Sequence, residues 1–225
     1  YKKFEDKIIY VKMTELVGGN SWEAEHSQRR YLLKCLNILI EKGVNLSEDS
    51  YFILSDVDEI PRKEAVEKVI AQNKDLMVLN HFFGSYFLNW HSNFRQPWGW
   101  YGSVIGKMGI LERIDIQWLR TNKDSLEKTG DVGEGWHFSN ILINGFDSLY
   151  NKWVTRIEPT DKFHIEGEFN KERLRQIFYQ HVMVDEYFLF CDNPENKSIK
   201  MEKLRIDLLP DYVRSHIAEF VDILT

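Results

Sequence analysis

Tyr51-Phe52-Ile53-Leu54-Ser55-Asp56-Val57-Asp58-Glu59-Ile60-Pro61-Arg62 is the stretch whose reading decides the fold. Its first four residues are a continuous apolar run of the kind found in a sheet strand covered on both faces. The run stops abruptly in three carboxylates within four residues. Pro61 then suits the first turn of a helix running through Ala65, Val66, Val69 and Ile70. Residues 75–80 (DLMVLN) supply the next strand. Strand, helix and strand in succession predict an α/β domain with a central sheet of parallel or mixed type.

Outward from this centre the pattern continues. Upstream, residues 7–13 (KIIYVKM) have the β-branched and aromatic content of a strand. Residues 23–41 then repeat apolar side chains at helical spacing, and Gly43 is placed to stop that helix. Downstream, residues 82–107 carry nine aromatic side chains among Gly, Asn, Ser and Pro, a composition suited to short strands and ordered loops. Residues 121–135 are polar and predict a surface loop, residues 136–139 a short strand, and residues 145–157, 171–180 and 211–224 helices. With no repeat and no low-complexity linker, residues 1–225 are read as a single domain.

Composition excludes some classes. The chain has 43% hydrophobic residues, enough for a sizeable core, and a net charge of −6. A general nucleic-acid binder needs a basic surface to neutralise phosphates, so that class is set aside. No apolar run approaches the ~18 residues of a membrane span. Cys35 and Cys191 each lie in an apolar stretch without metal-type spacing and are read as free thiols. Together with the lack of a leader, this favours a cytoplasmic setting, with an upstream anchor left open. The oligomeric state is not encoded in any recognisable signal.

The chemistry is expected at Asp56 and Asp58. Carboxylates at i and i+2 behind a strand leave the sheet at its carboxyl edge, where open α/β sheets bind ligands. Their hard oxygens suit Mn²⁺ or Mg²⁺, commonly held by one or two carboxylates plus substrate phosphates. The alternative is an acidic turn whose carboxylates favour the dipole of the following helix. Phosphatases with a nucleophilic aspartate also place Asp-x-Asp behind an apolar strand. In them a small hydroxyl residue usually follows, whereas Glu59 follows here.

The segment from Ile53 to Arg62 (ILSDVDEIPR) resembles the core motif of glycosyltransferase family 17, the β-1,4-mannosyl-glycoprotein β-1,4-N-acetylglucosaminyltransferases. Three further blocks are similar to that family in the same order: residues 22–30 (WEAEHSQRR), Gly135-Trp136-His137-Phe138-Ser139, and Phe163-His164-Ile165-Glu166. The resemblance spans most of residues 1–190. It implies a GT-A type nucleotide-sugar transferase fold, with a mixed central sheet flanked by helices. It also implies a UDP-sugar donor (UDP-GlcNAc in characterised members), a divalent metal and inversion at the anomeric carbon. The chain begins at what resembles the second core strand of that fold, so the first strand is lacking from these 225 residues.

Residue roles follow from the resemblance and the chemistry together. Asp58 is the expected metal ligand, with Asp56 sharing the metal or touching the ribose, and His137 as a further ligand. Arg29 and His164 are candidates for donor phosphate. Glu134, Asp131 and Glu166 are candidates for the general base that an inverting transfer requires at the acceptor hydroxyl. Trp98 and Trp100 are expected to stack on an acceptor sugar, and Asn89 to read one of its hydroxyls. Two alternatives stand beside the transferase: a catalytically silent carbohydrate-binding relative, and a phosphatase-like hydrolase using Asp56.

Overall fold

A computed structural model describes residues 2–14, 21–92, 99–130, 133–154, 164–165, 168–189 and 199–225. In chain order its elements are α1 (Ser21–Leu32), α2 (Lys34–Glu41), β1 (Tyr51–Leu54), β2 (Glu59–Pro61), α3 (Lys63–Ala71), β3 (Leu76–Ser85), β4 (Trp90–Ser92) and β5 (Trp100–Lys107). There follow α4 (Ile116–Thr121), β6 (Gly135–Ser139), β7 (Ile143–Gly145), α5 (Phe146–Val154), β8 (His164–Ile165), β9 (Glu168–Phe169), α6 (Lys171–Phe178), β10 (Met201–Lys203) and α7 (Asp211–Ser215). The class is mixed α/β, with a mixed sheet flanked by helices.

Packing divides the chain into two compact units, although the sequence reads as one domain. The first comprises Tyr1–Leu54, Val69–Met77 and Val104–Glu127. In it β1 pairs antiparallel with the second half of β5, from Tyr51 opposite Lys107 to Leu54 opposite Val104. Gly106 is required by this pairing, since a Cβ there would lie 2.8 Å from Leu76 and 3.1 Å from the Phe52 ring. Asp115 caps α4 by accepting the N–H groups of Gln117 and Trp118 at 2.9 and 3.3 Å. Lys107 is held by Asp49 and Asp75 at 3.3 and 3.1 Å.

The second unit comprises Ser55–Lys68, Val78–Ser103 and Lys128–Thr225. Its strands are mixed in direction: β6 runs parallel to β3 and antiparallel to β2, while β4 is antiparallel to β3 and to β10. β3 is buried along nearly its whole length, as expected of a strand with neighbours on both edges. One apolar cluster gathers Phe83, Tyr86, Trp90, Leu149, Leu174 and Phe188, and another gathers Leu88, Leu204, Leu209, Val213 and Ile223. Full burial of each such side chain stabilises the unit by roughly 1.5–3 kcal/mol.

Several elements differ from expectation, each for a physical reason. Residues 8–13 form no strand; Lys2–Lys7 is a 3-10 turn and Tyr10 is 81% exposed. The helix expected over 23–41 is two helices broken at Leu33. Its stop is as expected, with Gly43 at φ 81° and its N–H on the Ile40 carbonyl. β1 is antiparallel and Ile53 is 46% exposed, so the apolar run is not covered on both faces. Pro61 belongs to β2, opposite Gly135, and α3 begins two residues later. Proline there gives up an N–H at the end of a three-residue strand, where little pairing is lost. Residues 121–135 include the end of α4 and a 3-10 turn at Lys123–Ser125. α6 continues as a π-helix over Tyr179–Val184, and the last helix is only Asp211–Ser215 followed by 3-10 turns. Among the described residues no helix is long and apolar enough to cross a membrane. Cys35 is a free, half-buried thiol whose pKa burial pushes up. Cys191 lies outside the described residues.

Candidate functional site

The acidic motif forms a tight turn between β1 and β2. The Glu59 N–H donates to the Asp56 carbonyl at 3.0 Å, and the Glu59 Oε2 accepts the Asp56 N–H at 3.2 Å. One residue therefore closes the turn twice, once with backbone and once with side chain. Val57 stands at the tip, 99% exposed. Beyond the turn, β2 lies against β6 with Glu59 opposite His137, Ile60 opposite Trp136 and Pro61 opposite Gly135. The Phe138 N–H donates to the Asp58 carbonyl at 2.9 Å. Two motifs far apart in sequence, Asp-Val-Asp-Glu and Gly-Trp-His, thus meet through a strand ladder.

That register places His137 Nε2 3.4 Å from Asp58 Oδ2. The Asp58 side chain keeps 31% of its surface in solvent and His137 only 10%. Burial pushes the Asp58 carboxyl up. The hydrogen bond and charge of His137, the charge of Lys152 on α5 and the Asp58 backbone N–H outweigh it, so the group ionises below its ordinary range. The imidazole is fixed by aromatic neighbours. Trp100 stacks on it at 4.4 Å and 24°, and Phe83 meets it edge-on at 5.0 Å. The Trp100 Nε1–H donates to Glu59 Oε1 at 3.0 Å. The Nδ1 of His137 is buried and has no hydrogen-bond partner among the described residues.

Beside this pair lies a second buried polar group. His81, on β3, is wholly buried between Gly102 of β5 and Gly135 of β6. A Cβ at Gly102 would lie 2.1 Å from its Nδ1, and a Cβ at Gly135 would lie 2.6 Å from its Nε2. Next to it, the Asn80 carbonyl accepts the N–H groups of Gly133 and Glu134 at 3.0 and 2.9 Å. The approach to β6 is clamped by Arg62, which lies 4.1 Å over the Trp136 ring and donates to the Gly133 and Leu208 carbonyls at 2.6 and 2.8 Å.

The expected site residues separate accordingly. Asp58 and His137 are together. Among the described residues, however, no three His, Cys, Asp or Glu side chains converge to hold a metal, so the expected trio with Asp56 is not assembled. Glu134 is 7% exposed, and its Oε2 accepts the Asn80 N–H at 3.2 Å, tying it to the backbone of β3. Arg29 lies on α1 in the first unit, bonded to Glu25 and, at 3.2 Å, to Gln117. Asn89 is buried and spends both ends of its amide on the Thr225 backbone, at 2.7 and 3.1 Å, instead of facing a ligand. Trp100 has one face covered by His137 instead of forming an open platform. Asp131, Glu166 and Trp98 lie outside the described residues; His164 has its backbone in β8 and its side chain is not described.

Two residues have roles in the site that the sequence did not signal. Lys152 sits on an amphipathic helix where a lysine is ordinary, and its charge reaches Asp58 only through the packing of α5. Glu59, read in the sequence as part of the acidic motif with helix capping as the alternative role, opens β2 instead. Comparison of the chain with protein-family models, with curated proteins and with solved structures finds no match.

Proposed function

We propose that the chain is a metal-dependent inverting glycosyltransferase of GT-A type, similar to family 17, moving a sugar, N-acetylglucosamine by the resemblance, from a UDP donor to a glycan acceptor. The observation that carries this function is the Asp58–His137 pair. A partly exposed carboxylate just ahead of β2, held ionised, lies 3.4 Å from a stacked imidazole in the middle of β6. A carboxylate oxygen and the nitrogen of a neutral imidazole form a donor set that Mn²⁺ accepts, so metal binding would displace the proton that pairs His137 with Asp58. Asp58 and His137 would supply two protein ligands, and donor phosphate oxygens would supply others, the usual arrangement for Mg²⁺ and Mn²⁺ in nucleotide sites.

Asp58 and His137 would hold the ion, and Asp56, in the same turn, is left for the ribose. When bound, the metal supplies positive charge to the departing pyrophosphate. Lys152 adds a cation near Asp58. The Glu59 turn fixes the direction in which Asp58 points, so the carboxylate need not be ordered on binding. The base that takes the acceptor proton is sought at Asp131 or Glu166, because Glu134 is tied to Asn80. Calorimetric titration of UDP-GlcNAc in the presence and absence of Mn²⁺ tests the donor site. Binding that requires the metal and is lost in Asp58→Ala supports it, and metal-independent or absent binding overturns it.

A further inference from the structure

We propose that Glu59 is a positioning residue for the candidate site, setting the Asp56–Asp58 turn and, through Trp100, the orientation of His137. Its effect on ligand binding rests on the donor site proposed above; its effect on side-chain geometry does not.

Glu59 is 4% exposed, an unfavourable place for a carboxylate unless its oxygens are satisfied. Each oxygen faces a different donor: Oε1 accepts the Trp100 indole N–H at 3.0 Å, and Oε2 accepts the Asp56 backbone N–H at 3.2 Å. Two separated acceptors on one short planar group are what a carboxylate has and a carboxamide lacks. Glutamine would present an NH₂ to one of these two N–H groups. The chemistry of the pocket thus selects Glu over its nearest isostere.

What Glu59 holds in turn holds the pair. Trp100, oriented by the Glu59 bond, lies stacked over His137 at 4.4 Å, and His137 Nε2 meets Asp58. Asp56, held at its N–H, is two residues from Asp58 in the same turn. Both routes out of the one carboxylate, through the backbone and through the indole, end at the Asp58–His137 contact. Glu59 also stands directly opposite His137 in the β2–β6 ladder, and its influence on the pair is read as orientation.

Nuclear magnetic resonance of the ligand-free ¹⁵N-labelled protein tests this directly, with Trp100→Phe assigning the indole N–H. The stacked indole shields the ring protons of His137. In Glu59→Gln those protons should move toward unshielded positions, and the Trp100 indole N–H should exchange with solvent at least about tenfold faster, as loss of one buried hydrogen bond implies. Leu174→Ala, a core truncation on α6, should destabilise the fold and leave both signals in place. In the metal-dependent UDP titration, Glu59→Gln should weaken affinity about tenfold, Trp100→Phe by no more than that, and the double variant should be no weaker than Glu59→Gln alone. Unchanged His137 and Trp100 signals in Glu59→Gln, or losses of affinity that simply multiply, would overturn the proposal. If the wild type binds no UDP with metal, the donor site falls, and the ligand-free signals alone decide the role of Glu59.

Discussion

Replacing Gly102 by alanine sets one methyl group against a wholly buried side chain of the second unit, His81. The new Cβ would lie 2.1, 2.5 and 2.6 Å from Nδ1, Cε1 and Cγ of His81. Ordinary non-bonded contacts are about 3.5–4.0 Å, so the closest approach overlaps by roughly 1.4 Å. The imidazole cannot withdraw. It is wholly buried, and on the side of Gly135 even a methyl would come within 2.6 Å of Cδ2 and Nε2. Relief must come from separating β5 from β3 or from forcing His81 out of its rotamer. Overpacking of a core typically costs about 1–3 kcal/mol, and a rigid ring flanked on both sides places this case at about 3 kcal/mol or more. Urea denaturation with linear extrapolation measures it, and thermal unfolding should fall by roughly 6–12 °C for a chain of this size. His81→Ala should destabilise the wild type by leaving a cavity, yet recover stability in the Gly102→Ala background. A Gly102→Ala protein within about 0.5 kcal/mol of the wild type would refute the reasoning.

Further expectations follow from other parts of the molecule. Gly43→Ala meets no steric obstacle among the described residues, since none of them lies within 4 Å of the new Cβ. It should cost only about 1 kcal/mol in urea denaturation, from the φ of 81° at the end of α2. Arg62→Ala removes the stack on Trp136 and two bonds to carbonyls, and should lower stability by about 2–4 kcal/mol in the same assay. The Asp58 carboxyl is held below its ordinary value near 3.8, so its stabilising contribution is complete above that value and is lost as pH falls through the lower folded one. Denaturation series across acidic pH should therefore show a shallower acid loss in Asp58→Asn than in the wild type.

Much of the fold was readable because local rules and long-range packing agree. The stop at Gly43 needs only a positive φ, and the strand expected at residues 136–139, found over Gly135–Ser139, needs only its aromatic and small residues. Tyr51–Leu54 shows where reading by pattern ends. A continuous apolar run cannot distinguish a doubly covered parallel strand from an antiparallel one with Ile53 in solvent, because the difference lies in which strand pairs with it. Pro61 illustrates the same limit, since a proline fits a first helical turn and the end of a short strand equally well. At the site, Asp58 and His137 were each singled out in the sequence as candidate ligands, and the structure brings their side chains within 3.4 Å. The Glu59–Trp100 bond was not foreseen, because it depends on the register of β2 against β6 and on the neighbouring start of β5. The His81 pocket was also hidden, for two glycines and a histidine on three strands carry no common signal until the strands are side by side.

The central claim is that Asp58 and His137 form a metal-dependent nucleotide site. Titrating UDP into the protein with saturating Mn²⁺, and again with chelator, for the wild type and for Asp58→Ala and His137→Ala, tests it most directly. The account predicts binding with Mn²⁺ only, abolished by Asp58→Ala and weakened about tenfold or more by His137→Ala. Binding of equal strength in chelator, or in folded Asp58→Ala with Mn²⁺, would contradict it.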